Sequence, residues 1–343
     1  MEQVTEAAID DLLRGAVHFG SGSGGDPYLG RQMLTAAIRR YGPVPLADPS
    51  TMDPDALVLP VAYAGPPSVL VEKAHGEVDA ETLRAAVEAR AGRSCAAVVP
   101  VQCAGVNAAV PLAVAAQLGL PCLDADLMRR CFPSIDLTIP RLAGYPIQPV
   151  TMVGGAGVLA EFSTGDSAVL GELLRAVLPG LGLTALISAY HLTAGDCARL
   201  DLGGSVSECT RIGAARSQPE YLLACRGRLL CQGTVVELMQ NSTDTWPRGV
   251  VSLHTPEGFV RIDFQNENLI VSREGVVLAT VPDLINLADP ASGTLIQTID
   301  LTVGQDVDVV ASPADPRWHT PEGIAMAGPR AFGYAVDPVG HLT

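Results

Sequence analysis

Lysine is almost missing from this chain: Lys73 stands alone against 21 arginines. The formal net charge is −15, and there is no extended basic cluster that could follow a phosphate backbone or lie on an anionic bilayer. Nucleic acid and membrane are therefore excluded as partners, and a small molecule is expected. Several motifs are also missing. The eight cysteines include no C-x-x-C pair, and the six histidines show no zinc-binding helix spacing. A G-x-S-x-G elbow is absent, which leaves a serine hydrolase without support. The N-terminus lacks the basic and then apolar layout of a signal peptide, so the expected location is cytoplasmic and most thiols are read as core residues of a reducing compartment. Residues 94–123 are uncharged, but Pro100, Gln102, Asn107, Pro111, Gln117 and Pro121 break the run too often for a membrane span.

The sequence is rich in glycine at one place, the stretch Gly20-Ser21-Gly22-Ser23-Gly24-Gly25-Asp26-Pro27. Asp26 reads as an N-cap and Pro27 as the first residue of a helix running to Tyr41. The loop thus ends on the positive terminus of a helix, where Gly22, Gly24, Gly25 and Asp26 are candidate substrate-binding residues. Gly20, Gly22 and Gly25 match the G-x-G-x-x-G spacing. A helical pattern, rather than a strand, precedes them, and Asp26 would repel a pyrophosphate, so no nucleotide cofactor is expected. A plain helix-loop-helix turn is the alternative.

With 343 residues, two domains are expected. Residues 1–165 alternate short apolar runs with helical stretches and read as an α/β domain with a largely parallel sheet. Residues 166–343 read as a mostly-β sandwich or barrel with short helices, punctuated by turns such as Gln265-Asn266-Glu267-Asn268 and Glu274-Gly275. The apolar, glycine-rich segments point to a homo-oligomer.

In a parallel sheet, ligands gather at the carboxyl ends of strands. Gln102, Cys103 and Asn107 fall there, as do Asp124 and Asp126. Cys103 is either a nucleophile or a small core residue. Asp126 is either a site carboxylate or the cap of a helix starting at Leu127. Lys73 beside Glu72 is a candidate electrostatic stabiliser with its general base, since arginine cannot replace a compact, titratable ammonium. A solvated charge pair is the alternative. His-Thr-Pro-Glu-Gly occurs at 254–258 and 319–323 with nothing else aligned around it, so it is not a repeat. His319 is a further substrate-binding candidate because the rigid segment Gly328-Pro329-Arg330-Ala331-Phe332-Gly333-Tyr334 follows it.

Together the glycine loop, Val71-Glu72-Lys73, the run Pro100 to Asn107, Leu123 to Met128 with Cys131-Phe132-Pro133, and Pro282-Asp283-Leu284-Ile285 with the 328–334 segment resemble one family. It was first known as a domain of unknown function and later named for S-methyl thiohydantoin desulfurase. The resemblance spans nearly the whole chain. It implies hydrolysis of an S-methyl thiohydantoin to hydantoin and methanethiol, and relatives often accompany hydantoinase or oxoprolinase genes. It also carries zinc as an option, with ligands unidentified. Two positions depart from the family pattern Pro-x-Glu-x-Gly-Gly-x-Asn: Gln102 stands for Glu and Ala104 for Gly. A neutral amide can only hydrogen-bond. A non-catalytic binding or accessory protein that keeps the pocket is therefore the competing expectation.

Overall fold

The computed structural model describes residues 1–66, 69–70, 76–164, 166–241 and 248–339. The first sheet contains β1 (Gln3–Val4), β2 (Val44–Ala47), β3 (Leu57–Ala64), β4 (Cys95–Pro100), β5 (Cys122–Leu123), β6 (Val150–Gly154), β7 (Val158–Phe162) and β8 (Ala185–Ala189), in the order β1-β2-β5-β4-β3-β8-β6-β7. Only β2, β5, β4 and β3 run parallel; β1 at one edge and β8, β6 and β7 at the other are antiparallel. The largely parallel sheet of the sequence reading is therefore a mixed sheet with a parallel core. Its central strands are continuous apolar runs because both faces are covered: Leu57 to Val61 and Ala97 to Val99 are buried. Helices Glu77–Ala91 and Val110–Leu118 supply the crossovers from β3 to β4 and from β4 to β5.

The second sheet contains β9 (Arg228–Asn241), β10 (Arg248–Thr255), β11 (Gly258–Gln265), β12 (Glu267–Arg273), β13 (Val276–Thr280), β14 (Leu284–Ala288), β15 (Leu295–Ile296) and β16 (Asp306–Ser312). Its order is β13-β12-β11-β10-β9-β16-β14-β15, and every pairing is antiparallel. Along β11, Val260, Ile262 and Phe264 are buried, and the residues between them point outward. The sheet curls into a half-barrel, so that β12 touches β14 across the interior although four strands separate them in the order.

β8 belongs to the first sheet, so the α/β layer continues past residue 165. Helix Ile9–Gly20 packs against helix Ser205–Gly213 and also contacts β14 and β15 of the second sheet. The two layers therefore share a seam, and the glycine loop lies in it. Among the described residues no helix is long and apolar enough to cross a membrane.

Candidate functional site

Asp26 caps helix Pro27–Tyr41 as expected, its side chain accepting from the Tyr28 amide at 2.8 Å. The loop before it is a hub of carbonyl acceptors. Ser21 O accepts from the Asn268 amide at 2.7 Å, Gly22 O from the Thr298 amide at 2.9 Å, and Gly24 O from the Val106 amide at 2.8 Å. Gly25 O accepts from Gln297 Nε2 at 2.7 Å. One edge of the loop thus binds the second sheet and the other binds the first domain. Gly24 requires its glycine, with φ +122° and a Cβ that would lie 2.8 Å from the Gly105 Cα. The loop is a joint between the domains; Gly22 and Gly25 lie in the seam, Asp26 is exposed at the helix start, and Gly24 alone of the four reaches the cavity described next.

That cavity, of about 550 Å³, opens beside the carboxyl ends of β3 and β4. Its wall is mostly apolar, with Leu70, Val106, Phe132, Met152, Leu174 and Ile187 among its residues. Gln102 and Asn107 also line it, as the strand-end argument predicted. Their amides differ. Asn107 Oδ1 accepts from the Tyr63 amide at 2.7 Å and its Nδ2 donates to the Tyr63 carbonyl at 3.2 Å, so it latches the end of β3. Gln102 Oε1 is buried and has no hydrogen-bond partner among the described residues. Arg175, exposed at the rim, is the one charged residue of the described lining.

Other predicted residues lie elsewhere. Cys103 is 1% exposed and does not line the cavity. Burial first, then the Asp126 carboxylate, pushes its thiol well above the ordinary cysteine range, and the residue lies in the core out of reach of the cavity. No helix starts at Leu127. Asp126 instead accepts from the amides of Cys103 at 2.8 Å and Arg129 at 2.9 Å and from Ser205 Oγ at 3.2 Å. Burial raises its pKa even against the pull of Arg129. Asp124 holds the amide and hydroxyl of Ser207 at 2.9 and 2.6 Å. Both aspartates therefore fasten helix Ser205–Gly213 and lie outside the cavity lining. His319 Nε2 meets Asp283 Oδ1 at 2.9 Å, also away from the cavity. Its neighbour Trp318 is buried, with Nε1 donating to the Met128 carbonyl at 2.9 Å. Glu72 and Lys73 lie outside the described residues; Leu70, just before them, lines the cavity.

The sequence reading missed a buried polar cluster behind the cavity wall. Cys131 and Asn266 line the cavity, and Glu267 lies behind them with no exposed surface. Glu267 Oε1 accepts from Ser23 Oγ at 2.9 Å and Asn266 Nδ2 at 2.8 Å, while Oε2 is left without a hydrogen bond. The Cys131 thiol is close enough to this carboxyl and to Ser23 to interact with both. Burial holds the Glu267 carboxyl above the usual carboxylate range, opposed by Cys131 and by the Arg130 charge. The Cys131 thiol is pushed up by burial and then by Glu267. Arg130 is also fully buried, stacked over the Phe132 ring at 4.5 Å. It donates through Nε to Cys131 O at 3.0 Å and through Nη1 to Asp283 O at 3.0 Å and to the Pro282 carbonyl. Its Nη2 has no partner among the described residues. Burial lowers its pKa to about 10, so it stays charged at neutral pH. Two signals for this cluster stood in the sequence: Cys131-Phe132-Pro133 within the family resemblance, and two consecutive arginines just before it.

Among the described residues no group of three or more His, Cys, Asp or Glu is placed to hold a metal ion. The described lining has one thiol and no histidine or carboxylate, so it does not fit zinc, and no step below runs through a metal.

A mixed α/β domain joined to a curled antiparallel sheet, with a largely apolar cavity at the ends of its parallel strands, defines a two-domain protein. The chain belongs to the S-Me-THD-like family: the family's N-terminal domain matches residues 7–164 and its C-terminal domain residues 165–340. A crystal structure of a protein from Chromobacterium violaceum shares the fold, at 23% identity and a TM-score of 0.84 over 99% of each chain. No functionally curated protein matches.

Proposed function

We propose that this protein is a hydrolase of small cyclic amides of the S-methyl thiohydantoin type, releasing methanethiol and leaving a hydantoin. The observation that carries the reading is the buried Oε1 of Gln102, without a hydrogen-bond partner among the described residues, in a mostly apolar cavity. A buried acceptor without a bond is costly, and a ligand that brings an N–H removes that cost. The ring N–H of a neutral cyclic amide fits. Among the described lining residues a phosphate or carboxylate would meet a single cation, Arg175 at the rim. The apolar wall suits the hydrocarbon substituent of an amino-acid-derived ring. Membership of the S-Me-THD-like family supports the same chemistry. The setting we infer is the cytoplasm, since all eight cysteines are free.

The test is incubation of purified protein with 5-alkyl S-methyl thiohydantoins, with methanethiol measured by a thiol reagent and hydantoin by mass spectrometry. Turnover is expected, and Gln102→Leu should raise KM about tenfold through loss of one hydrogen bond. A melting temperature raised by ligand, with no product formed, would replace the hydrolase reading with the non-catalytic binding protein.

A further inference from the structure

Glu267 is a fully buried carboxyl that does not line the cavity, and two of its neighbours, Cys131 and Asn266, do. Asn266 already donates to Glu267 Oε1, together with Ser23. Cys131 lines the cavity, and its thiol is near enough to the Glu267 carboxyl to interact with it. Two further polar atoms of the cluster, Glu267 Oε2 and Arg130 Nη2, are each buried and without a hydrogen bond among the described residues. A carboxylate beside a thiol, oriented by a third group, is the arrangement of a base and its nucleophile. Here Ser23 and Asn266 orient the carboxyl, and Arg130 is a positioning residue whose charge favours the ionised form.

We propose that Cys131 attacks the ring carbon bearing the S-methyl group and that Glu267 is its base, so that desulfurisation passes through a covalent thioimidate on Cys131. This rests on the hydrolase reading above. In the first half-reaction the new Sγ–C bond forms as the thiol proton passes to Glu267. The C–SCH3 bond then breaks, and the departing sulfur takes that proton to leave as methanethiol. In the second, water adds to the same carbon while Glu267 accepts a water proton. The Sγ–C bond then breaks, Glu267 returns its proton to Cys131, the added hydroxyl's proton moves to the ring nitrogen, and the ring carbon becomes the carbonyl of hydantoin. No oxidant or reductant is involved, and the sum is substrate plus water to hydantoin plus methanethiol. The scheme also explains how turnover occurs at a cavity whose described lining has no carboxylate of its own: the thiol carries the base's action through the wall.

The experiment uses the full chain with a 2-methylthio hydantoin bearing an isobutyl substituent, quenched in acid during turnover and measured by intact-protein and peptide mass spectrometry. The expected result is a mass increase equal to substrate minus methanethiol, located on Cys131. Cys131→Ala should lower methanethiol release roughly a thousandfold while the ligand still raises the melting temperature. Glu267→Gln should lower it about a hundredfold and abolish the acidic limb of the kcat/KM profile, a change that a merely structural role would not produce. Cys131→Ser provides a second variant if the alanine form fails to fold, with the same loss expected. Methanethiol release by wild type that persists within tenfold in either Cys131 variant would overturn the covalent route and leave the hydrolase reading standing. No release by wild type would overturn the hydrolase reading itself.

Discussion

Ser23 and Glu267 are 244 positions apart in the chain, yet the serine hydroxyl donates to the glutamate carboxyl at 2.9 Å in the buried seam between the two domains. The contact couples the glycine loop to the first residue of β12. Whatever disturbs the loop therefore reaches the polar cluster behind the cavity.

Gly105→Ala should be among the most damaging single-methyl additions in the protein. The new Cβ would lie 1.9 Å from the Gly24 carbonyl oxygen, at a φ of +51°. A loss of about 2–4 kcal/mol is expected, read from the midpoint of urea unfolding. A shift of under half a kcal/mol would show that the loop adjusts freely.

Stability should fall in mild acid because of His18. Burial, with the Arg211 charge second, lowers its pKa to about 3. It is neutral in the fold, where Nδ1 meets Tyr221 Oη at 2.8 Å and Asn286 Nδ2 at 3.2 Å. The unfolded chain binds this proton near pH 6.5 and the folded one does not. Stability is thus full above about pH 6.5 and is lost as pH falls from there toward 3, by roughly 3 kcal/mol at pH 4. His18→Gln should lack this component, so unfolding curves of the two proteins between pH 7 and 4 measure it by difference.

Asn107→Ala removes both bonds to Tyr63 and leaves a strand-end amide without its acceptor. A cost of about 2–3 kcal/mol is expected, together with weaker ligand binding, because Tyr63 itself lines the cavity. Thermal melts with and without ligand separate the two effects.

Cys103→Ala should leave turnover within about twofold and cost on the order of 1–2 kcal/mol, as a small core truncation does. A loss of activity similar to that of the Cys131 variants would return Cys103 to the reaction.

Much of the framework was legible in the sequence because it depends on local rules. The Asp26-Pro27 helix start, the alternation of apolar runs and helices from Leu57 to Leu123, and the β-branched stretch after Leu229 are short-range patterns. The strand-end rule also placed Gln102 and Asn107 at the cavity. Asp124 and Asp126 turn their side chains toward helix Ser205–Gly213, about 80 residues later in the chain, which no local pattern announces, and Cys103 is buried in the core, its carbonyl accepting from Cys209 Sγ. The positive φ of Arg129, +62°, replaced the helix expected at Leu127 and sends that side chain to Ser205 and Glu208 while Arg130 is buried beside Phe132. Gln265 to Asn268 read as a polar turn, yet Glu267 and Asn268 are buried because the curled sheet closes over them against the glycine loop.

By itself the sequence determined the α/β and β halves, the capped helix after the glycine loop and the acidic, lysine-poor surface, since propensity, periodicity and net charge are properties of neighbouring residues or of composition. Tertiary structure alone decided which polar groups meet. The pentapeptide His-Thr-Pro-Glu-Gly shows the division. At 254–258 it forms the hairpin turn between β10 and β11, with Thr255 Oγ1 donating to Gly258 O at 2.7 Å. At 319–323 it opens a helix, with Thr320 Oγ1 accepting from the Gly323 amide at 3.1 Å. The side chains are identical, and the difference comes from the flanking strands, which are long enough to pair in one case and absent in the other.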